Sequence, residues 1–555
     1  MPGKNRPVWV LIVLALIVAC MAEAQDMQER VSANYDESVD LKRLSELDDV
    51  SMHYRLLRSG MQSHGSLWAS LNEEINALTP VRYRELELLV MESSIAELQE
   101  LVLAGDLSYE ELTLFYLSRI REIEGDSARY LNAVISLNPE SVERARALDR
   151  ALRASPDAER DLIYGIPILL KDNINAAGMA TTAGAVALQN NFAGNAFIVE
   201  KLLEKGAVIL GKANLSEWAY FFCDDCPSGW SAMGGQTLNP YGRLQFNTGG
   251  SSAGSGASIA ANYAAAAVGS ETSGSILSPS SANSLVGLKP TIGSLSRTGV
   301  VPISGTLDTT GPMARSVADV IILFNAMTGY DQRDTAMPMM SGDLQLNYRE
   351  KSLAGLRLGA PGRYLGDELF ERALGLLSAD EAAVVEITLP DIDMQGFGTL
   401  LGGEMVRDLA SYLKAHASRL VMIDSIKDLQ AFNLQRQELR IPYGQAEVDR
   451  MVDLDISPAE LEGLRESLQG SARAALETLF SGNDLDLLLS VDNRNAGLAA
   501  LANYPALTVP LGYLDSGKPV NLTLIAPPFQ EQLLVDVGGR FERLADARLG
   551  PAAYR

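Results

Sequence analysis

The chain has 555 residues, 47% hydrophobic and 21% charged, an ordinary balance for a globular protein with a large core. Its net charge of −24 at pH 7 argues against a nucleic-acid partner, because binding phosphate needs a basic surface. The acidity reads instead as a soluble, self-repelling surface.

The N-terminus reads as a targeting segment, residues 1–24. Lys4 and Arg6 precede an apolar run from Val8 to Cys20 that is shorter than the ~20 residues a membrane span needs. That pattern predicts a secretory signal peptide and an exported protein: periplasmic, outer-membrane-anchored or secreted. Ala22-Glu23-Ala24 before Gln25 suits ordinary signal peptidase, whereas Ile17-Val18-Ala19-Cys20 is similar to a bacterial lipobox. The second cut would leave Cys20 lipidated, the one route to a membrane anchor. Residues 25–90 read as a polar, helical N-terminal extension, with a helix over Arg84 to Met91.

Two capping signals follow. Ser94 with Glu97 and Ser108 with Glu111 each precede an apolar periodic run, the pattern that starts a helix. A further helix is predicted from Ser141 to Arg153. From about 160 the pattern changes. Residues 163–170 read as a buried strand, 197–205 as helix and 207–211 as strand. Residues 255–262 read as helix and 264–268 as strand. The region 360–480 is helix-rich and charged. Strand-like runs return at 485–489, 506–509 and 521–525. Such alternation predicts an α/β layered sheet. With no repeat and no long linker, a single large domain with helical insertions over 91–546 fits best.

Histidine is scarce: only His53, His64 and His416. Gly250-Ser251-Ser252-Ala253-Gly254 matches the G-x-S-x-G elbow, but Ser252 would then need His416, which reads as part of an exposed helix. No cluster has metal-ligand spacing. Cys223-Asp224-Asp225-Cys226 is a lone C-x-x-C pair. In an oxidising compartment it can close a local disulfide; free thiols and a metal pair are the weaker alternatives.

Lysine is the next base to consider. It works only when neutral, and burial lowers its pKa from ~10.4. Lys171 follows the apolar run 163–170, where a strand end could deliver it into a closed interior. Two serine-glycine stretches, Gly249–Gly256 and Gly269–Ile276, are embedded in small and branched residues. Small residues allow close backbone approach and leave N–H groups to face a ligand. A hydroxyl with a base in reach can act as nucleophile.

Lys171, the Gly249–Gly256 stretch and Ser275 together resemble the amidase signature family. The resemblance runs across about 92–330, through Gly287–Thr291, Arg297–Pro302 and Asp308–Ser316, and returns at Asn503–Pro510. It is weak in 360–480 and absent from 26–90. Asn214–Ala219 with Ser228–Ala232 most resembles the bacterial peptide amidases. The resemblance implies a large mixed central β-sheet flanked by helices on both faces. It implies Ser275 as nucleophile, Ser251 as bridging serine after a cis Gly250–Ser251 bond, and Lys171 as base. The backbone N–H groups of Thr272, Ser273, Gly274 and Ser275 would form the oxyanion hole, with Gly250 and Ser252 in support. Ser273 stands where the family often has glycine or aspartate. The activity implied is hydrolysis of a small-molecule or peptide amide, with no cofactor and no metal. An amidase-fold esterase and a non-catalytic surface lipoprotein are the alternatives. A tRNA-linked amidotransferase subunit conflicts with the export signal.

Overall fold

The computed structural model describes residues 36–61, 64–339, 344–349 and 351–555. The expected signal segment, with Cys20, lies outside the described residues. Eleven strands form one mixed sheet: β1 (Val134–Leu137), β2 (Pro167–Lys171), β3 (Val208–Ala213), β6 (Ala266–Glu271), β7 (Val286–Lys289), β8 (Thr309–Ala314), β9 (Arg357–Pro361), β10 (Ala383–Ile387), β11 (Leu487–Val491), β12 (Ala506–Tyr513) and β13 (Pro519–Ile525). Their order is β1-β3-β2-β6-β8-β7-β12-β13-β11-β9-β10. A separate two-stranded hairpin pairs β4 (Trp230–Ser231) with β5 (Gly235–Gln236). β2 runs parallel to β3 and to β6, while β6, β8, β7, β12 and β13 pair antiparallel in succession. The expected mixed α/β sheet is therefore present.

Helices cover the sheet in two layers. Ala253–Ala260 packs on β2, β3, β6 and β8, and Leu277–Ala282 on β7, β12 and β13, the two helices touching each other. Val317–Met327 packs on β8 and Glu531–Ala545 on β12, and these two also touch. The central strands β2, β3, β6, β7, β8, β11 and β13 are buried on both sides, which is why they read as apolar or small-residue runs without alternation; the edge strand β10 is not. The capping serines act as expected. Ser94 starts Ile95–Ala104 and Ser108 starts Tyr109–Glu124, each in a reciprocal capping box.

Three boundaries differ from the sequence reading. The strand expected over 163–170 begins only at Pro167. Before it the chain turns through Gly165 at φ +74, with the Gly165 N–H donating to Gly206 O (2.8 Å). A Cβ at Gly165 would lie 2.1 Å from the Tyr109 ring. The helix expected from Ser255 starts at Ala253, directly after Ser252. The strand expected over 264–268 runs from Ala266 to Glu271, so it ends at the second serine-glycine stretch.

The N-terminal extension shares the main core. Leu44, Met52, Leu57, Leu71, Ile75 and Leu86 are fully buried in the same apolar cluster as β2 and β3. At the other end Tyr554 is buried, and its hydroxyl donates to Arg129 O (2.8 Å), so the fold continues past residue 546. Among the described residues no helix is long and apolar enough to cross a membrane.

Leu86→Ala, deep in the extension, should lower unfolding free energy by about 2–5 kcal/mol, the usual cost of a large-to-small core change. Denaturant unfolding monitored by tryptophan fluorescence would check this. A loss under 0.5 kcal/mol would mean the extension folds apart from the sheet.

Candidate active site

Lys171 is the last residue of β2, a strand with neighbours on both edges. Its side chain is fully buried. The Nζ reaches Ser251 Oγ at 2.7 Å and Ser270 O at 3.0 Å. No carboxylate pairs with it directly. Desolvation therefore prevails and lowers its pKa to about 7, while the more distant Asp308 and Glu271 oppose the shift. A fully buried ammonium without a salt-bridge partner is costly, and losing the proton relieves that cost.

Ser251 follows a cis peptide bond from Gly250, and its carbonyl accepts the Ser216 N–H (3.0 Å). The Ser216 hydroxyl in turn accepts the Gly229 N–H at 2.8 Å. A Cβ at Gly250 would meet Ser228 Oγ at 2.3 Å and Ser216 Oγ at 2.6 Å. The segments Asn214–Ala219 and Ser228–Ala232 thus build the wall behind Ser251. Glu217 in that wall is buried and accepts the Ala232 N–H (2.9 Å); burial pushes its carboxyl well above the usual range.

Ser252 sits beside them, its hydroxyl bonded to Ser270 O (3.1 Å) and to the Ser270 N–H (3.3 Å). Its backbone N–H donates to Ser275 O (3.1 Å), joining the two serine-glycine stretches. This occupied hydroxyl leaves no place for Ser252 as an elbow nucleophile. His416 is not in an exposed helix as expected. It caps Phe397–Ala415, half-buried against Tyr412, and burial lowers its pKa.

Ser275 is half-buried, and its hydroxyl has no hydrogen-bond partner among the described residues. The structure thus joins Lys171 to Ser251 directly and brings Ser275 alongside through Ser252. The backbone N–H groups of Thr272, Ser273, Gly274 and Ser275 also have no acceptor among the described residues. In a largely buried segment, four consecutive unpaired donors require an acceptor from solvent or ligand. Gly274 has φ +93, and a Cβ there would meet Asn493 Nδ2 at 2.9 Å.

Several carboxylates shaping this loop were missed in the sequence. Glu271 closes it from within: its Oε2 accepts the N–H groups of Ile276 (2.7 Å) and Leu277 (3.0 Å). Asp308 holds it from outside, accepting the Thr272 hydroxyl at 2.6 Å and the Ile303 and Ser304 N–H groups at 2.8 and 2.9 Å. Burial raises the Asp308 pKa to about 6. That loop is anchored in turn by the helix Phe397–Ala415. Glu404 accepts the Ser304 hydroxyl and the Thr306 N–H (3.2 Å), and Asp408 accepts the Gly305 N–H (2.7 Å). Asp172, next to Lys171, forms a fully buried ion pair with Lys212 (2.9 Å). Adjacency to Lys171, and a place in the family-like run 308–316, were the only sequence signals for Asp172 and Asp308.

A void of about 10 Å³ lies among Asn173, Ala219, Ser270, Thr272 and Asp308. It adjoins a cleft of about 530 Å³, with Arg297, Val300 and Asp308 lining both. Trp218, Ala219 and Tyr220 all have positive φ (51, 55 and 80), a rare run for residues with a Cβ. Cys223 and Cys226, just beyond, are joined as a disulfide. Among the described residues no group of His, Cys, Asp and Glu could hold a metal.

With this geometry in place, the comparisons agree. The family model Amidase matches residues 111–451. A probable amidase of Arabidopsis thaliana is 34% identical over 477 residues, covering 83% of this chain and 92% of its own length. The crystal structure of an amidase family protein from Bacillus anthracis superposes with a TM-score of 0.84 at 34% identity, covering 90% of this chain and 99% of its own. The peptide amidase from Stenotrophomonas maltophilia superposes with a TM-score of 0.77 at 38% identity, covering 83% and 98%. The chain belongs to the amidase signature family and is an amide hydrolase.

Asp308→Asn should keep the fold but loosen the 272–275 loop. We expect kcat on an amide substrate to fall about 10- to 100-fold, the scale of a small misplacement of reacting groups, with KM changing less. An unaltered kcat would show that Asp308 does not position the loop.

Proposed function

We propose that the protein is an exported serine amidase that hydrolyses carboxylic amides, C-terminal peptide amides among them, through an acyl-enzyme on Ser275. The observation that carries this is the buried Lys171–Ser251 contact of 2.7 Å beside four unpaired amides. The peptide-amide reading is supported by the likeness to a peptide amidase. It is also supported by the segments 214–219 and 228–232, which wall the bridging serine.

In this reading neutral Lys171 accepts the Ser251 proton as Ser251 accepts that of Ser275. The Ser275 oxygen bonds to the amide carbon. The oxyanion that forms takes hydrogen bonds from the N–H groups of residues 272–275, donors aimed before the reaction begins. Lys171 returns the proton through Ser251 to the nitrogen, the C–N bond breaks, and ammonia or amine leaves. Water then repeats the sequence on the ester, releasing the acid and restoring Ser275. The residues supply every proton transfer and the charge stabilisation, so no cofactor enters the scheme.

Export rests on the pattern of residues 1–24. Mass spectrometry of the protein purified from its own cells should find an N-terminus at Gln25, or a lipidated Cys20. An intact Met1 would remove export from the reading.

Ammonia release from an amidated peptide, run beside Ser275→Ala, tests the chemistry. The variant should lose on the order of 10⁵–10⁶ in rate, as other acyl-enzyme hydrolases do without their nucleophile. Substantial residual turnover would take Ser275 out of the mechanism. Because only the deprotonated amine can accept a proton, kcat/KM should rise with pH through about 7 and then level. A profile flat from pH 5.5 to 8.5 would mean that Lys171 is not the base.

A further inference from the structure

A second cavity, of about 640 Å³, lies between the start of the helix Phe397–Ala415 and the segment 447–455, a size suited to part of a peptide or drug-sized ligand. Its floor is apolar, with Met394, Phe397, Met451 and Leu454, and glycines 396, 398 and 402 leave it open. Its rim is acidic. Glu447, Asp449, Asp453 and Asp455 line it against one cation, Arg450. That cation is already taken, by Asp224 of the disulfide loop (3.0 Å) and by Glu447 (2.6 Å). Asp449 accepts amide hydrogens from Gln430 (2.8 Å) and Gln445 (3.1 Å). Asp453 and Asp455 are exposed, and their carboxylates have no partner among the described residues.

The cavity borders the catalytic loop. A Cβ placed on Gly497 would meet Ser273 Oγ at 3.6 Å and Met394 Cε at 3.7 Å, so this glycine separates the amide-binding loop from the cavity wall. Phe397 packs in the apolar cluster that contains Leu277 and Ala496. On the other side the Glu447 N–H donates to Phe222 O (3.1 Å), beside the left-handed turn 218–220.

We propose that this groove is a substrate subsite for a cationic side chain, so that the preferred substrates are peptide amides carrying lysine or arginine upstream of the terminal carboxamide. This rests on the amidase reading above. The apolar floor suits the methylene stem of such a side chain, which buries carbon while its charged head stays near water. The rim supplies the counter-charge, and complementary charge sets selectivity between otherwise similar ligands. Glutamate in the same place would meet unpaired carboxylates of like sign.

The experiment compares amidated tetrapeptides with lysine, glutamine or glutamate at each upstream position. kcat/KM is measured on the wild type, and Kd on Ser275→Ala, which needs no turnover. Asp453→Lys/Asp455→Lys changes the rim at two exposed sites. Asp157→Lys/Glu159→Lys, on an exposed loop elsewhere, matches the change in net charge. At one position or more, lysine should exceed glutamate by about tenfold in kcat/KM, with the gap narrowing as salt is raised. The rim variant should abolish or invert the preference, and the matched variant should keep it. Equal kcat/KM for lysine and glutamate peptides would overturn the subsite and leave the amidase reading intact. So would a preference that survives the rim change, or one that the matched variant removes equally. Charge-selective binding to Ser275→Ala that the rim change removes, with no wild-type turnover of any amide, would support the subsite and overturn the amidase reading.

Discussion

Burial of the Lys171 amine without a salt-bridge partner is the constraint on which the rest of the site depends. Among the described residues three lysines lie fully buried: Lys171, Lys212 and Lys289. Lys212 pairs with Asp172 at 2.9 Å and donates to Thr181 Oγ1 at 2.9 Å, as a structural cation should. Lys171 has only a carbonyl and the hydroxyl of Ser251. A carboxylate in direct contact would hold its proton. Asp172, the next residue, is instead turned to Lys212 and Thr182. The strand ends at Lys171 and the chain turns at Asp172, with the Ile174 N–H donating to Lys171 O (3.0 Å). One step along the chain thus separates a desolvated amine from an ion pair.

The acids near the 272–275 loop serve another purpose: they hold backbone. Glu271 accepts two N–H groups just past Ser275, and Asp308 accepts two from its own loop and the hydroxyl of Thr272. Hydrogen bonds to charged groups are stronger than neutral ones. They fix both ends of a segment whose own N–H groups stay unpaired. Pre-organisation requires this arrangement, because donors that had to rotate into place would spend part of the binding energy on ordering.

Legibility in the sequence followed the range of each interaction. Local devices were readable: the capping boxes at Ser94 and Ser108, and the serine-glycine stretches. The mixed sheet and the candidate catalytic positions came with the family resemblance, because its motifs are long and ordered. What lay hidden depends on contacts far apart in the chain. Glu404 meets residue 304 across 100 positions, and nothing in its own helix marks it out from the other acids there. The extension read only as polar and helical because its buried leucines are spaced irregularly through short turns. Its share in the core appears only once β2 and β3 are in place. The early start of the strand was misread because Ile163 and Ile166 are fully buried in a turn rather than a ladder.

The region 360–480, least like the family in sequence, touches the site in two ways. Through Glu404 and Asp408 it anchors the loop that carries Asp308; through Met394 and Phe397 it forms a wall beyond Ser273. Both contacts come from one segment, the helix Phe397–Ala415 and its approach. The sheet strands and serine loops hold the candidate chemistry, while this insertion holds what borders it. Such a division lets an insertion change recognition without disturbing the desolvated lysine, provided its two acids keep hold of residues 304–306. The insertion is therefore free to vary along its groove and restrained where it grips the loop.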